Sequence, residues 1–384
     1  MCLSLLPVSA MAAEHDHNTG DWKALTTTSG TLEEGSYYLA VPAESAAPET
    51  SLTLTGNLTI SGAVTLCLNG QTLDCGNYYI EVSSGASLTI CDCSTGGYVT
   101  GSNWSGTVQN YGILTLESGK VENTYSYSGS QAVYNAGTFY LTGGEVSSMS
   151  GCGLFNSGST EAKISGGSIT GGSAAIYNDY SSEKVYLSNT PTLTSGENYA
   201  DIYSGTVYAN DGSTDAPAYY TGEAITVQRR SSYPNGEAAV CGVNENNKSS
   251  FTSFNINYTL NPDEGDPTAL VYKGVACNLT WLDRDGTTTL TGDSYPTIEE
   301  YGESISPPTY SADNQVFLGW KYKVDNGEFN SNYASSSQRI TGAMTFQADA
   351  VAAMPGSGTI AEPYEIDSTE DLKTLATIAN SGNT

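Results

Sequence analysis

Few side chains in this sequence could carry out acid–base chemistry inside a folded body. The chain has 41 acidic residues but only 13 basic residues and 2 histidines among 384 residues. Between residues 50 and 212 there is no Arg, no His and no Asp-Asp pair, and the lysines are Lys120, Lys163 and Lys184. A glycoside hydrolase needs two carboxylates flanking the sugar bond. A lyase acting on uronates needs a base and a group that neutralises the substrate carboxylate. The composition therefore favours a protein that is not an enzyme.

The two histidines, His15 and His17, both lie near the N-terminus. Their position excludes a serine–histidine–aspartate triad within the body of the fold. If a leader were cleaved after Ala12, the new amino group would precede His15 at position three. An amine, two amides and an imidazole can bind Cu(II) in a square plane. The alternative is a mobile polar tail, and we otherwise expect neither a metal nor a cofactor.

The cysteines leave two structural possibilities open. Cys67 and Cys91 are 24 residues apart (91−67), which is one period of the repeat described below. Stacked strands lie about 4.8 Å apart, which is within the Cα separation of a disulfide. A disulfide and a pair of free thiols are both compatible with this spacing. Cys91-Asp92-Cys93 lacks a second cysteine pair at ligand spacing and an accompanying histidine, so we expect it to be structural.

A short phrase recurs from residue 108 onward, and we expect the strands that it forms to position any site on this part of the chain. Its copies are Val108-Gln109-Asn110, Val133-Tyr134-Asn135, Leu154-Phe155-Asn156 and Ile176-Tyr177-Asn178, with a degenerate fifth at Ile202-Tyr203-Ser204. The start-to-start spacings are 25 (133−108), 21 (154−133), 22 (176−154) and 26 (202−176). Two further apolar segments follow each phrase. Three short apolar segments in each period of this length predict a parallel β-helix with three strands and three corners per turn.

Each position of the phrase has its own predicted role. The first residue points into the core and the second points outward, because side chains alternate along a strand. The corner asparagines can hydrogen-bond to one another as a structural ladder of Asn110, Asn135, Asn156 and Asn178. The outward residues Tyr134, Phe155, Tyr177 and Tyr203 form a candidate ligand-binding stripe. The alternative is that these aromatic pairs only stabilise the sheet.

These repeats, over about residues 50–212, resemble right-handed parallel β-helix proteins of the pectate-lyase-like superfamily. That resemblance implies a right-handed solenoid, but the catalytic motifs of the superfamily find no matching positions here. The opening of the chain is similar to repetitive surface proteins of gut Gram-positive bacteria, through His15–His17, Tyr37–Leu39 and Leu66–Gly70. The second resemblance implies a place in the cell envelope.

A second module is expected over residues 276–351. Its order of elements resembles the internalin-type B-repeat, also called the Listeria–Bacteroides repeat, which is a small β-grasp-like module. The match rests on Phe317-Leu318-Gly319-Trp320 and on the alternating segment Met344–Ala348. In physical terms, Phe317 and Trp320 are expected to supply most of its core.

The whole chain is therefore expected to be an all-β exported protein. We predict a signal-peptide remnant at 1–12, an N-terminal cap at 13–50, the β-helix at 51–212, an irregular β cap or linker at 213–275, the B-repeat-like module at 276–351, and a linker with the start of a further, truncated repeat domain at 352–384. The apolar stretch before Ala10-Met11-Ala12 is typical of a secretory signal. The net charge of −28 argues against nucleic acid as a partner, and we expect no membrane insertion.

The expected function is that of a non-catalytic protein at the cell surface. It would be an adhesin, or a stalk that contacts host or bacterial glycans or surface proteins. The alternative is a degraded or unusual β-helix enzyme, a polysaccharide lyase or hydrolase. The two differ in whether the protein only binds a glycan or also cleaves it.

Overall fold

The structure, a computed structural model, divides the chain into two compact units. It describes residues 15–18, 21–40, 52–158, 160–179, 183–203, 206–232, 234–354, 356 and 359–380. The first unit runs to Tyr272 and the second begins at Lys273, with two short segments, 233–235 and 257–259, that belong to the second unit. The predicted leader at 1–12 lies outside the described residues. Nearly all of the regular structure in the described part is β, as the sequence predicted.

The first unit is a parallel β-solenoid of about nine turns over its described residues. The first sheet contains Trp22–Ala24, Gly35–Tyr38, Ala63–Cys67, Ser87–Cys91, Ile113–Leu116, Thr138–Leu141, Glu161–Ile164, Lys184–Leu187, Thr206–Tyr208 and Ala238–Cys241, with Ala269–Gly274 and Tyr258–Pro262 at its end. The second contains Gly30–Leu32, Leu58–Ile60, Ile80–Val82, Val108–Asn110, Gln131–Asn135, Cys152–Asn156, Ile176–Asn178, Ile202–Tyr203, Ile225–Gln228 and Phe251–Ser253. The third contains Leu52–Thr53, Thr72–Asp74, Tyr98–Gly101, Lys120–Asn123, Glu145–Ser148, Ser168–Gly171 and Thr192–Thr194.

The core of the solenoid is built from the inward-facing residues of these short strands. Successive repeats pair in register, so that Val108 lies beside Val133 and Leu154 lies beside Ile176. All four side chains are fully buried. Each such side chain stabilises the fold by about 1.5–3 kcal/mol relative to an exposed one. The recurrent apolar phrase is therefore the element that stacks the turns.

The solenoid begins earlier in the chain than the repeat pattern indicates. Within the predicted cap at 13–50, Trp22–Ala24 pairs in parallel with Gly35–Tyr38. Gly30–Leu32 pairs in parallel with Leu58–Ile60. The strands of the N-terminal segment are thus members of the same sheets that continue through the repeats.

The parallel pairing also continues into the segment predicted as an irregular cap, 213–275. Ile225–Gln228 pairs in parallel with Phe251–Ser253, whereas Ala269–Gly274 pairs antiparallel with Ala238–Cys241. The connections between these strands are longer than in the repeats, and one contains the 3₁₀ helix Lys248–Ser250. These long connections hide the period in the sequence although the strands keep their stacking.

The corner asparagines form a continuous buried hydrogen-bond chain. The side-chain Nδ2 of Asn110 donates to Oδ1 of Asn135 at 2.7 Å, Asn135 donates to Asn156 at 3.0 Å, and Asn156 donates to Asn178 at 2.9 Å. Oδ1 of Asn110 also accepts the backbone N–H of Gly112 at 3.1 Å. Each amide thus satisfies the polar groups of its own corner and links one turn to the next.

The second unit contains a mixed four-stranded sheet around an aromatic core. Its described strands are Ala276–Leu282, Ile298–Glu300, Gln315–Val324 and Met344–Ala352, with a separate pair formed by Ser304–Ile305 and Gln338–Arg339. The Trp281 ring stacks on Phe346 with centroids 4.2 Å apart and meets Trp320 edge-on at 4.9 Å. Phe317 is only partly buried against this cluster. Trp281 and Phe346, together with Trp320, form the centre of this core.

The helix Thr369–Asn380 completes the second unit. Ser368 caps it, because its hydroxyl accepts the backbone N–H of Asp371 at 3.1 Å and donates to the Asp371 carboxylate at 2.7 Å. Ile378 is buried and packs against Leu318 of the sheet. The helix, which the sequence assigned to a further repeat domain, therefore shares a small apolar cluster with the second unit.

Candidate functional site

The predicted stripe residues stack on one another along the outer face of the second sheet. Phe155 pairs in register with Tyr134 and with Tyr177, and Tyr177 pairs with Tyr203. The successive ring centroids are 5.8, 5.2 and 4.9 Å apart, and the interplanar angles are 15°, 8° and 16°. We call these four rings the aromatic ladder. The first copy of the phrase does not continue it, because Gln109 is buried and Tyr111 instead lies tilted against Tyr134.

The parallel stacking of the ladder limits what its rings can bind. A sugar that packs on an aromatic residue needs a free ring face, and the internal faces of this ladder are covered by neighbouring rings. The rings are half-buried, so they present mainly edges and hydroxyl groups to the outside. Burial, followed by the proximity of Tyr203, raises the pKa of Tyr177 above its ordinary value. Tyr177 therefore keeps its proton at neutral pH and can donate a hydrogen bond.

An open groove with a volume of about 470 Å³ runs over one end of the ladder. Its lining consists of Ser128, Gly129, Ser130, Cys152, Phe155, Ser173, Ala174, Tyr177, Tyr199, Ala200 and Tyr203. The floor comes from three rings of the ladder, and the walls come from corners between the third and second sheets. None of these lining residues carries a charge at neutral pH, although the whole chain has a net charge of −28.

The lengths of successive corners explain why the groove lies at this place. The corners that lead from the third sheet to the second have seven residues at 124–130, three at 149–151, four at 172–175 and seven at 195–201. Two short corners thus lie between two long ones, and the long corners form the walls. The repeat spacings of 25, 21, 22 and 26 contain this information, since the longest spacings include the longest corners.

The long corner at 195–201 is fixed by side-chain hydrogen bonds. The Ser195 hydroxyl donates to the backbone carbonyl of Tyr199 at 2.8 Å and lies 3.0 Å from Oδ1 of Asp201. Oδ2 of Asp201 accepts the backbone N–H of Thr226 at 2.9 Å, from the next turn. These contacts hold the Tyr199 wall against the body of the solenoid before any ligand binds.

The opposite wall at 124–130 is fixed in a similar way. Asn123 is buried, its Nδ2 donates to the backbone carbonyl of Gln131 at 2.6 Å, and its Oδ1 accepts the backbone N–H of Tyr125 at 2.9 Å. The Ser130 hydroxyl donates to the carbonyl of Tyr127 at 2.7 Å. Both walls are therefore preorganised, which lowers the entropy cost of binding.

Exposed aromatic side chains occur on the corners between the third and second sheets and were not predicted from the sequence. Trp104 is 68% exposed, Tyr127 is 57% exposed and Tyr199 is 45% exposed. All three lie on corners between the third and second sheets, and Tyr199 also lines the groove. These residues lie outside the recurrent phrase, in the variable corner segments, so the period of the phrase does not predict them. Their occurrence in the longest corners is the signal that could have found them.

The structure also brings together four side chains of metal-ligating types that are far apart in the sequence. One donor atom from each of His15, His17, Cys67 and Cys93 lies within 4.8 Å of the other three. Cys67 and Cys91 pair in register but are both free thiols, and Cys67 Sγ lies 3.3 Å from Cys93 Sγ. No histidine accompanies Cys91-Asp92-Cys93 in the sequence, but the structure places His17 Nε2 3.8 Å from Cys93 Sγ.

The titration of these groups follows from their burial. Burial, followed by the proximity of His15, lowers the pKa of His17 below its ordinary value. Burial, followed by a hydrogen bond with Cys67, raises the pKa of Cys93 to about 12. Both shifts keep the groups uncharged at neutral pH. The copper chelate predicted for a cleaved N-terminus involves residues before His15, which lie outside the described residues, and it stays a prediction.

Comparisons of the chain with protein-family models, with curated proteins and with solved structures find no match. No helix in the described part of the chain is long and apolar enough to cross a membrane. The functional interpretation therefore depends on the groove and the cluster themselves.

Proposed function

We propose that this chain is an exported, non-catalytic surface protein whose solenoid binds neutral glycans in the groove beside the aromatic ladder. Export is supported by the apolar segment that precedes Ala10-Met11-Ala12, a sequence typical of a signal peptide. Binding is supported by the one observation that carries the proposal, an uncharged groove with aromatic and hydroxyl-bearing walls in a strongly acidic chain.

The chemistry of the lining matches that of a neutral sugar. Ser128 and Ser173 offer hydroxyl groups, and Tyr177 and Tyr203 offer phenol groups from the floor. A sugar needs both hydrogen-bonding partners for its hydroxyls and an apolar surface for its C–H face. Tyr199, on the wall, is the lining aromatic residue with the largest exposed fraction. It is therefore the best candidate to supply the apolar surface for the C–H face of the sugar. The volume of about 470 Å³ is within the usual range of about 300–1,000 Å³ for ligand sites.

The same lining favours binding over cleavage. Hydrolysis of a glycosidic bond uses two carboxylates on opposite sides of the bond, and the residues that line the groove include no Asp or Glu. The residues that line the groove also include no Arg or Lys to neutralise a uronate. The enzyme alternative, a β-helix lyase or hydrolase, is tested by the cleavage assay described below.

We further propose that the solenoid is a right-handed β-helix of the pectate-lyase type and that the second unit is a B-repeat-like β-grasp module. The asparagine chain through Asn135 and Asn156 supports the first assignment. The second is supported by the position of Trp320 in the aromatic core and of Gly319 at the bulge of the strand Gln315–Val324. Both assignments fit an exported bacterial surface protein.

The direct experiment is to apply the purified chain to an array of neutral and uronate-containing glycans and to assay the same glycans for cleavage products. We expect binding to a subset of neutral glycans and no turnover. Tyr177→Ala should reduce that binding, whereas Tyr186→Ala should leave it unchanged. Tyr186 is the matched control, because it stacks on Tyr208 at 4.8 Å on the first sheet, away from the groove.

Two results would contradict the proposal. Turnover of any glycan that is abolished by substituting an Asp would support the enzyme alternative. Equal losses of binding in Tyr177→Ala and Tyr186→Ala would show that the groove is not the site.

A further inference from the structure

The four clustered ligand side chains come from the first turns of the solenoid, far from the groove in the chain. His15 and His17 precede the strand Trp22–Ala24. Cys67 ends the strand Ala63–Cys67, and Cys93 follows the neighbouring strand Ser87–Cys91 by two residues. Cys67 is buried and the other three are half-buried, so an ion can reach the cluster from solvent. The chain has two histidines in total, and both are here.

The distances in the cluster are close to those of a tetrahedral metal site. Cys67 Sγ and Cys93 Sγ are 3.3 Å apart, and His17 Nε2 is 3.8 Å from Cys93 Sγ. Two sulfur ligands bound tetrahedrally to one zinc ion at about 2.3 Å lie about 3.8 Å apart, and a sulfur and a nitrogen ligand, the latter bound at about 2.0 Å, lie about 3.5 Å apart. The measured S–S separation is shorter than its tetrahedral value by about 0.5 Å and the measured S–N separation is longer by about 0.3 Å. All four donor atoms are within 4.8 Å of one another. Small side-chain movements suffice to close the site.

Aromatic stacking fixes the two imidazole rings. The His15 ring stacks on Trp22 with centroids 4.3 Å apart and an interplanar angle of 3°. The His17 ring stacks on Tyr38 at 4.3 Å and 7°. The two imidazoles meet edge to face at 4.8 Å. Rings held in this way lose little rotational freedom when they bind a metal.

The two thiols are positioned by a buried carboxylate between their turns. Asp92 is buried, and its Oδ1 accepts the backbone N–H of Gly70 at 2.7 Å, in the turn that follows Cys67. Its Oδ2 accepts the N–H of Gly97 at 2.8 Å. Asp92 therefore ties the turn after Cys67 to the turn that carries Cys93.

Asn69 links the thiols to the histidine side of the cluster. Its Oδ1 accepts the Cys93 thiol at 3.6 Å, and its Nδ2 donates to the backbone carbonyl of Leu39 at 3.0 Å. Leu39 follows Tyr38, on which His17 stacks. The supporting contacts thus form a shell around the four ligands, as in built metal sites.

We propose that His15, His17, Cys67 and Cys93 form a tetrahedral zinc site that fastens the N-terminal segment to the first turns of the solenoid. Binding releases the two thiol protons, and the two resulting thiolates, with two neutral imidazoles, balance the charge of Zn²⁺. A closed set of two cysteines and two histidines is typical of structural zinc. The ion would join residues separated by 50 positions (67−17) and 26 positions (93−67), which removes chain entropy from the unfolded state.

The test measures metal content in the full, fully reduced chain after exposure to ZnCl₂ and removal of excess ion. We expect one zinc ion per chain, and Co²⁺ in its place should give thiolate-to-cobalt charge-transfer bands and tetrahedral d–d bands. Hydrogen–deuterium exchange at residues 15–18 should slow when zinc binds. His17→Ala and Cys93→Ser should each weaken zinc binding by more than about 10- to 100-fold, because loss of a supporting residue alone costs that much.

The control variant is Cys241→Ser, which removes a partly exposed thiol elsewhere in the solenoid and should retain the metal. His17→Ala is not expected to disturb folding, since His17 is half-buried and precedes the first described strand. Three results would overturn the proposal: reduced protein that retains no zinc, equal retention by wild type and His17→Ala, or a Cys67–Cys93 disulfide in protein prepared with zinc.

Discussion

The orientation of an aromatic ring decides whether it can bind a ligand or only pack within this fold. The internal rings of the aromatic ladder cover one another at 4.9–5.8 Å, so they stabilise the sheet and contribute edges to the groove. Tyr199 stands on a corner and exposes 45% of its surface. Period-two alternation predicts that Tyr134 and Tyr177 point outward, but it contains no information on ring faces. That distinction depends on the distance between stacked strands.

Asn135 lies within the asparagine chain and hydrogen-bonds to the asparagines on both sides, so its substitution should destabilise the fold. Asn135→Ala removes its bonds to Asn110 and Asn156. The buried Oδ1 of Asn156 loses the donor supplied by Asn135, whereas Nδ2 of Asn110 keeps its bond to the Thr138 carbonyl at 2.9 Å. We expect a loss of about 2–4 kcal/mol in the free energy of unfolding. Asn246→Ala, at an exposed asparagine, should change it by less than about 0.5 kcal/mol. Urea unfolding measures both values, and equal effects would contradict a stabilising role for the chain of amides.

Tyr310 gives the second unit a dependence on alkaline pH. The hydrogen bond to Asp283, together with burial, raises the pKa of Tyr310 to about 12, from about 10 in an unfolded chain. The folded state therefore holds this proton more tightly, and the stabilisation is complete below about pH 10 and is lost as the pH rises towards about 12. Unfolding midpoints of wild type should fall more steeply over this range than those of Tyr310→Phe. Parallel slopes for the two proteins would count against this assignment.

At the scale of elements, the corners shape the groove and the strands determine the stacking of the turns. The strands could be predicted from the sequence, because the apolar phrase recurs and its register follows from Val108, Val133 and their counterparts. The groove could not, since it depends on the contrast between corners such as 124–130 and 149–151. The spacings contained that contrast, but only the paired strands show which of the three corners holds the extra residues.

Shortening one wall should remove binding without removing the fold. Replacing residues 124–130 by the three-residue corner 149–151 would reproduce a connection that the solenoid already uses one turn, or three strands, later. We expect neutral-glycan binding to fall at least about tenfold, since a lining wall is lost, while the β-sheet circular dichroism is retained. Undiminished binding in a folded variant would exclude the 124–130 wall from the site.

The helix Thr369–Asn380 offers a matched pair of substitutions. Ile378 is 3% exposed and packs on Leu318, whereas Leu372, on the same helix, is 57% exposed. Ile378→Ala should destabilise the second unit by about 2–5 kcal/mol, and Leu372→Ala should cost less than about 0.5 kcal/mol. Chemical unfolding followed by tryptophan fluorescence reports on this unit through Trp281 and Trp320. The reverse order of the two effects would show that the helix packs through its other face.

At the scale of the whole molecule, the chain combines a net charge of −28 with an uncharged groove. Such a charge repels anionic polymers, and its long-range effect is screened by salt. The solenoid was predictable because its repeats occur many times in the sequence. The His15–Cys93 cluster was not, since its ligands lie 78 positions apart (93−15) and meet only when the first turns stack.

Binding of a neutral glycan should be nearly independent of ionic strength. Its contacts are hydrogen bonds and aromatic packing, and neither is screened by salt as ion pairs are. The dissociation constant should change by less than about twofold between about 0.05 M and 0.5 M NaCl, a range over which the Debye length falls severalfold. Calorimetry at both concentrations measures it. Binding that weakens strongly with added salt would indicate a charged ligand or a different site.

The most direct test of the groove as a glycan site is calorimetric titration of wild type, Tyr199→Ala and Tyr98→Ala with the neutral glycan that binds best. Tyr98 has a similar exposure, 38% against 45%, but lies on the third sheet away from the groove. We predict that Tyr199→Ala weakens binding by about tenfold, or about 1.4 kcal/mol, and that Tyr98→Ala leaves the affinity unchanged. Equal affinities for wild type and Tyr199→Ala would contradict the account.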